Sequence, residues 1–275
     1  MHMRTNDCAA VCQAAADKAR QRMLNHPAAA CKSIHWGSAL SCVEILTVLY
    51  QCVLNLDDSP ELRDRFILSK GHAAFCLYTV LNQKGIISDE LYDSFRNDGS
   101  ALSELSHYDP ALGIDASGGS LGMGLSYGAG LALLARSMHQ PYQTYVLTGD
   151  GELDEGNIWE AIMLISQQHI TNLTLIVDRN RLQLDGLTDE IISWDNISRR
   201  FEAFGFDVFS VDGHDCAALI SAFRSASVSD KPRVIVANTV KGKGVSFMEN
   251  NCIWHDRLLL SAELQLARNE VNCDA

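Results

Sequence analysis

Five short runs rich in β-branched and aromatic residues recur along the chain: RFIL from Arg65, TYVL from Thr144, LTLIV from Leu173, DVFSV from Asp207 and RVIVA from Arg233. Most are too continuously apolar to have a wet face, which is what strands covered on both sides require. Each is closed by a polar segment, in order SKGHA, TGDGE, DRNRLQLDG, DGHD and NTVKGKG, and helical patterns such as NIWEAIMLISQQH and DCAALISAFRSA lie between. Alternation of this kind predicts an α/β fold, a doubly wound, mostly parallel sheet with helices on both faces. Helical periodicity also runs from Asp7 to Leu24 and from Ala39 to Val53, and RLLLSAELQLARNEV reads as a closing helix. No internal repeat, low-complexity tract or Pro- or Ser-rich linker divides the chain, so residues 1–275 are expected to form one domain.

An open parallel sheet binds ligands outside the carboxyl ends of its strands, where the polar segments gather. Asp150 follows the second run and Asn180 the third, a separation of about one βαβ unit. On neighbouring strands about 4.8 Å apart, two such short side chains reach a single ion. An Asp carboxylate, an Asn amide oxygen and a main-chain carbonyl, with Leu182 the nearest candidate, form a half-shell of hard oxygen donors. That set suits Mg²⁺ or Ca²⁺ rather than zinc and leaves positions for diphosphate oxygens and water. Gly149 and Gly151 allow the backbone to approach a phosphate closely. Taken singly, Asp150 with Gly151 also reads as a turn, and Asn180 as a residue tolerant of left-handed backbone. Their conjunction at two strand ends favours the ion.

The net charge of −12, with no basic run, excludes a nucleic-acid surface, so an anionic ligand must be met by local cations, a metal or helix ends. Nine cysteines without a Cys-x-x-Cys pair suggest reduced thiols in a cytoplasmic protein. No signal peptide is expected at the N-terminus, and no apolar run approaches the roughly 18 residues of a membrane span. The glycine-rich SGGSLGMGLSYGAGLALLA misses the G-x-G-x-x-G spacing of a dinucleotide site, and Gly128 and Gly130 are expected to allow close helix packing instead. His35, His72, His107 and His255 lie in polar, loop-like settings. Each alone reads as a solvated or capping residue; together they would supply donors and proton shuttles to one cleft. Signatures of zinc proteases, α/β-hydrolases and P-loop NTPases are missing.

GDGELDEG followed by NRLQLDG resembles the thiamin diphosphate motif. HWGSALSCVEILTVLY, DRFILSKGHA, GSLGMGLS, DGHD, and KGKGVSFMENN followed by WHDR extend the resemblance, in order, to the N-terminal half of transketolase. The resemblance implies that Asp150, Asn180 and the carbonyl of Leu182 hold Mg²⁺, for which Ca²⁺ or Mn²⁺ would substitute, and that Gly151 lies on the diphosphate. His72 and His255 would contact the diphosphate side, while His35 and His107 would face the sugar, with His35, His107 and His255 the catalytic candidates. Gly119 and Leu121 would border the cofactor ring, Leu184 would pack on the thiazolium, and Glu155 would join an acidic network between the two cofactor sites of a dimer.

The pattern is not followed throughout. Where the family tends to show Gly-His-x-Gly-Gly, Ile34 precedes His35, Trp36 follows it and Ser38 replaces the second glycine; Ser-His-Tyr, ending in Tyr108, stands for Gly-His-Pro. Transketolases are also more than twice as long. The chain is therefore expected to be the N-terminal subunit of a split transketolase. Its partner would be a C-terminal subunit with the aminopyrimidine-binding domain, in a heterotetramer that moves a two-carbon ketol unit from a ketose phosphate to an aldose. The alternatives are an α-type subunit of a 2-oxo-acid dehydrogenase, a deoxyxylulose-phosphate-synthase-like enzyme, and a non-catalytic cofactor-binding regulatory subunit.

Overall fold

The five apolar runs become the strands of one wholly parallel sheet, ordered β1-β2-β3-β5-β4. They are β1 (Arg65–Leu68), β2 (Thr144–Gly149), β3 (Leu173–Arg179), β4 (Asp207–Asp212) and β5 (Arg233–Asn238). The structure is a computed structural model and describes residues 5–57, 59–193 and 196–273. The helices are α1 (Thr5–Asn25), α2 (Trp36–Ser41), α3 (Val43–Val48), α4 (Ala74–Gln83), α5 (Asp89–Asp93), α6 (Met123–Ser137), α7 (Gly156–Gln167), α8 (Thr188–Ile191), α9 (Ile197–Ala203), α10 (Cys216–Ser227) and α11 (Ser261–Cys273).

Successive strand side chains point to opposite faces, and here both faces are apolar. Phe66, Leu68, Tyr145, Leu147, Ile176 and Ile235 enter one core, shared with Met23 of α1, Val80 of α4 and Phe223 of α10. Ile67, Val146, Leu175, Val177, Val234 and Val236 enter the other, with Ala129 of α6, Ile162 of α7 and Phe201 of α9. Each buried Val, Leu, Ile or Phe contributes about 1.5–3 kcal/mol. The sandwich is thus fixed by β1, β2, β3 and β5, which have no solvent face, while the edge strand β4 is partly exposed.

Strands β2, β4 and β5 and helix α1 run one or two residues past the sequence expectation, and three other differences have a local reason. β3 continues through Asp178, which ion-pairs with Lys70 and accepts hydrogen bonds from Ser41 Oγ (2.6 Å) and Thr239 Oγ1. The helix expected over 39–53 breaks into α2, α3 and a π turn at Leu49–Val53. Cys42 Sγ donates to the Ser38 carbonyl at the break (3.3 Å), and Ser41 Oγ lies 3.0 Å from the same oxygen while its hydrogen goes to Asp178, the kind of side-chain competition that bends helices. The closing helix starts only at Ser261, because Arg257 forms an antiparallel bridge with Ile34. That bridge brings IWHDR against SIHWGS.

Gly128 packs α6 on β2 as expected: a Cβ there would lie 2.4 Å from Val146 Cγ2. Gly130 does not share the role, since nothing lies within 4 Å of where its Cβ would be. Among the described residues no helix is long and apolar enough to cross a membrane, and Cys8, Cys12, Cys31, Cys42, Cys52, Cys76, Cys216 and Cys252 are free thiols.

Candidate active site

A cavity of about 650 Å³ opens at the carboxyl ends of the strands. β1 delivers Lys70 and His72, β2 delivers Asp150 and Gly151, β3 delivers Asn180, Leu182 and Leu184, and the loop after β5 delivers Lys241. The Ile34–Arg257 bridge places His35 beside His255. His107, Gly119 and Leu121 complete the part of the lining that the sequence singled out. Glu155 alone of the expected site residues lies outside it, exposed at the N-cap of α7.

Gly149 pairs in register with Asp178, so the chain turns out of β2 directly beside the end of β3. Asp150 is buried; its Oδ1 accepts from Gly151 N (2.9 Å) and its Oδ2 from Arg181 N (2.6 Å). Burial first, and then the neighbouring Asp178 charge, raise its pKa to about 7. Asn180 Oδ1 accepts from Leu182 N (3.1 Å). The left-handed residue of this turn is Arg181 (φ 65°), not Asn180, whose side chain closes an Asx turn on Leu182 N and keeps a further lone pair on Oδ1. The Leu182 carbonyl accepts from Lys241 Nζ (2.9 Å), which leaves one of its two lone pairs.

Two lysines that the sequence reading passed over lie in the lining. Lys70 is neutralised by Asp178. Lys241 is 1 % exposed and makes no ion pair among the described residues; it donates to the carbonyls of Leu182 and Gln183 (3.2 Å) and to His255 Nδ1 (2.8 Å). Burial, and next the Lys70 charge, lower its pKa to about 8, so it is still mostly cationic at neutral pH. Since an ammonium only donates, His255 Nδ1 is an acceptor and the ring proton is assigned to Nε2.

His35, His72 and His255 form a triangle with ring centroids 5.3–5.5 Å apart. Burial lowers all three pKa values, that of His255 to about 3 with help from Lys241, so the rings are neutral and serve as hydrogen-bonding groups rather than charges. His35 Nδ1 lies 3.3 Å from Glu104 and 3.9 Å from Asp256, a polar rim the sequence did not announce. His107 is exposed on the lining.

Two supports hold this arrangement. Glu152 accepts from Ser69 Oγ, Gly122 N (2.7 Å) and Gly149 N (3.1 Å), clasping SKGHA, GSLGMG and TGDGE together. Gly122 is left-handed (φ 84°), and a Cβ on it would lie 2.2 Å from Asn157 Oδ1. His214 of DGHD is outside the cavity: its Nε2 accepts from Val240 N (2.8 Å), and its Nδ1 meets Glu44 (2.9 Å), which is held by Arg20. It props the loop that carries Lys241. Position was the available signal for the missed lysines, because both directly follow strand ends in segments where ligands gather.

Residues 13–275 match the family model described as "Transketolase, thiamine diphosphate binding domain". An apulose-4-phosphate transketolase subunit of Phocaeicola vulgatus is 41 % identical over 248 residues, covering 88 % of this chain and 87 % of that protein. The 6-deoxy-6-sulfo-D-fructose transketolase subunit SqwG of a Clostridium species is 39 % identical over 230 residues, covering 82 % of this chain and 83 % of that protein. In the solved transketolase of Campylobacter jejuni, 28 % identical, the superposition has a TM-score of 0.87 and covers 99 % of this chain but 43 % of that one. By a match that spans nearly its whole length, the chain belongs to the transketolase family and carries that family's thiamine diphosphate-binding domain.

Proposed function

We propose that residues 1–275 act as one diphosphate-side domain, the N-terminal subunit of a two-subunit transketolase that moves a two-carbon ketol unit from a ketose phosphate to an aldose. The observation that carries this is charge. Lys241 is a buried cation that makes no ion pair among the described residues, in the same lining as three hard oxygen donors, one of which, the Leu182 carbonyl, it already bonds. Leaving an ion buried and uncompensated costs several kcal/mol. A diphosphate with Mg²⁺ would offset both sides of the imbalance: its negative charge would lie in the field of Lys241, whose three N–H groups already serve Leu182 O, Gln183 O and His255 Nδ1, and the metal would be held by Asp150, Asn180 and the free lone pair of Leu182 O. Ca²⁺ or Mn²⁺ would fit the same donors.

Thiamin diphosphate, when bound, supplies the electron sink for ketol transfer. The chain's own residues hold the diphosphate end and line the cavity around it. His255 offers Nε2–H, and His72 a neutral ring, to the diphosphate side; Gly151, where a Cβ would meet Gln183 Cγ at 2.7 Å, brings its backbone into the lining on the diphosphate side; Gly119, Leu121 and Leu184 border the rings. His35, backed by Glu104 and Asp256, and exposed His107 are placed to exchange protons with a sugar hydroxyl. Glu155, outside the cavity, would act through an acidic contact with the partner.

The named relatives of similar length are each one subunit of an enzyme, which supports a C-terminal partner subunit with the aminopyrimidine-binding domain, assembled as a heterotetramer. Exposed Met123, Tyr127, Leu134 and Met138 on α6, with Met163 and Leu164 on α7, offer it an apolar face. Free thiols fit a reducing cytoplasm. Assay of the assembled protein with Mg²⁺ and thiamin diphosphate tests the reading: ketol transfer between a ketose phosphate and an aldose supports it, and decarboxylation of pyruvate without such transfer overturns it.

His107→Ala separates substrate from cofactor. The variant should bind thiamin diphosphate as the parent does and lose about 10²- to 10⁴-fold in kcat, the usual cost of missing acid–base help. Weakened cofactor binding with unchanged turnover at saturation would remove His107 from the sugar side.

A further inference from the structure

Ser38 lines the cavity, is 2 % exposed, and its Oγ has no hydrogen-bond partner among the described residues. Its backbone is held: the Ser38 carbonyl accepts from Lys70 Nζ (3.1 Å), and the preceding carbonyl, of Gly37, accepts from Gly242 N (3.0 Å), next to Lys241. The backbone of Ser38 is therefore anchored beside Lys70, and its hydroxyl, free to turn about one torsion, lies in a lining that also holds Lys241. A buried polar group left unsatisfied is disfavoured by about 1–3 kcal/mol. The surrounding protein offers no relief, since Lys70, Asp178 and Asp150 are all committed to other partners. The remaining source of a partner is whatever enters the cavity, and in a lining where Lys241 has no ion pair that is an anionic oxygen, toward which a hydroxyl donates.

We infer that Ser38 is a cofactor-contacting residue whose Oγ–H, after rotation about its one side-chain torsion, donates a hydrogen bond to the diphosphate group. This rests on the function proposed above. It is particular to this chain, because Ser38 stands where the family resemblance expects glycine, which has no hydroxyl to offer.

The test compares the assembled parent protein with Ser38→Ala and Ser38→Gly, titrated calorimetrically with thiamin diphosphate and, separately, with inorganic pyrophosphate, both with Mg²⁺. Loss of a hydrogen bond to a charged group should weaken both ligands by about 10- to 100-fold in Ser38→Ala. The unfolding temperature of ligand-free Ser38→Ala should hold or rise, because an unsatisfied buried hydroxyl has been removed; a purely structural serine would lower it. Parent-like affinity for both ligands in both variants overturns the inference and leaves the function standing. Weakened thiamin diphosphate with unchanged pyrophosphate moves the hydroxyl away from the diphosphate and also overturns it. A parent protein that binds neither ligand overturns the functional reading and this inference with it.

Discussion

Asp150→Ala is expected to abolish Mg²⁺-dependent binding of thiamin diphosphate by the assembled protein. Of the three oxygen donors proposed for the metal, only Asp150 brings a charge; Asn180 and the Leu182 carbonyl are neutral. Metal affinity at such sites follows the number of charged ligands. The loss should therefore exceed the roughly 10- to 100-fold that removal of an outer-shell partner costs. Asp150 has a second task, because its two oxygens accept from Gly151 N and Arg181 N and so tie the β2 turn to the loop after β3. Asp150→Asn separates the two: one amide oxygen keeps an acceptor for the turn while the charge is gone. Both variants should lose metal-dependent affinity in calorimetric titration, with Asn retaining more of the parent's thermal stability. Unchanged affinity in Asp150→Ala with Mg²⁺ present would refute the metal assignment.

The fold was legible because strands covered on both faces leave a continuous apolar trace, as four of the five do, and because helices between strands imply parallel orientation; all five runs are strands of one parallel sheet. Legibility ended where polar side chains are satisfied by partners distant in sequence. Asp178 reads as the start of a loop, yet it is buried in β3 because Lys70, Ser41 and Thr239 converge on it from three separate segments. Lysine in a glycine-bearing loop is ordinarily solvated, so nothing local distinguishes Lys241 from Lys243, although the first is buried and the second is not. His214 shows the converse. DGHD has the look of a site motif, and the histidine is spent on Glu44 and the Val240 amide. The metal-side donors and the four histidines, by contrast, sit at strand ends or in loops that topology alone must gather, and the cavity lining contains them all.

The chain purified without a partner is expected to give no ketol transfer, and turnover should appear when the C-terminal subunit is added. The cavity is built from one side. Its floor is closed by Lys70, Asp150, Asn180 and Lys241, whereas its border includes Leu184, 62 % exposed, and the exposed His107 with Tyr108 next to it. An apolar side chain placed to pack on a cofactor ring but left in water cannot exclude solvent from that ring, and electrostatic help to a reacting group weakens steeply when water is admitted. The adjoining helices point the same way, because α6 and α7 pack on each other and still expose Met123, Tyr127, Leu134, Met138, Met163 and Leu164. A partner seated there with a standard interface of about 1,600 Å² would cover the apolar face and close the border together. A second copy of this chain would bring another floor, with the same cations and oxygen donors, to a cavity that needs a cover. The measurement is ketol transfer with Mg²⁺ and thiamin diphosphate for this chain alone, for the partner alone and for the mixture, with the mass of each species in solution. Activity confined to the mixture, in a complex of two copies of each chain, is the expected result; robust turnover by the lone chain, verified free of contaminating transketolase, would sink the split-enzyme reading.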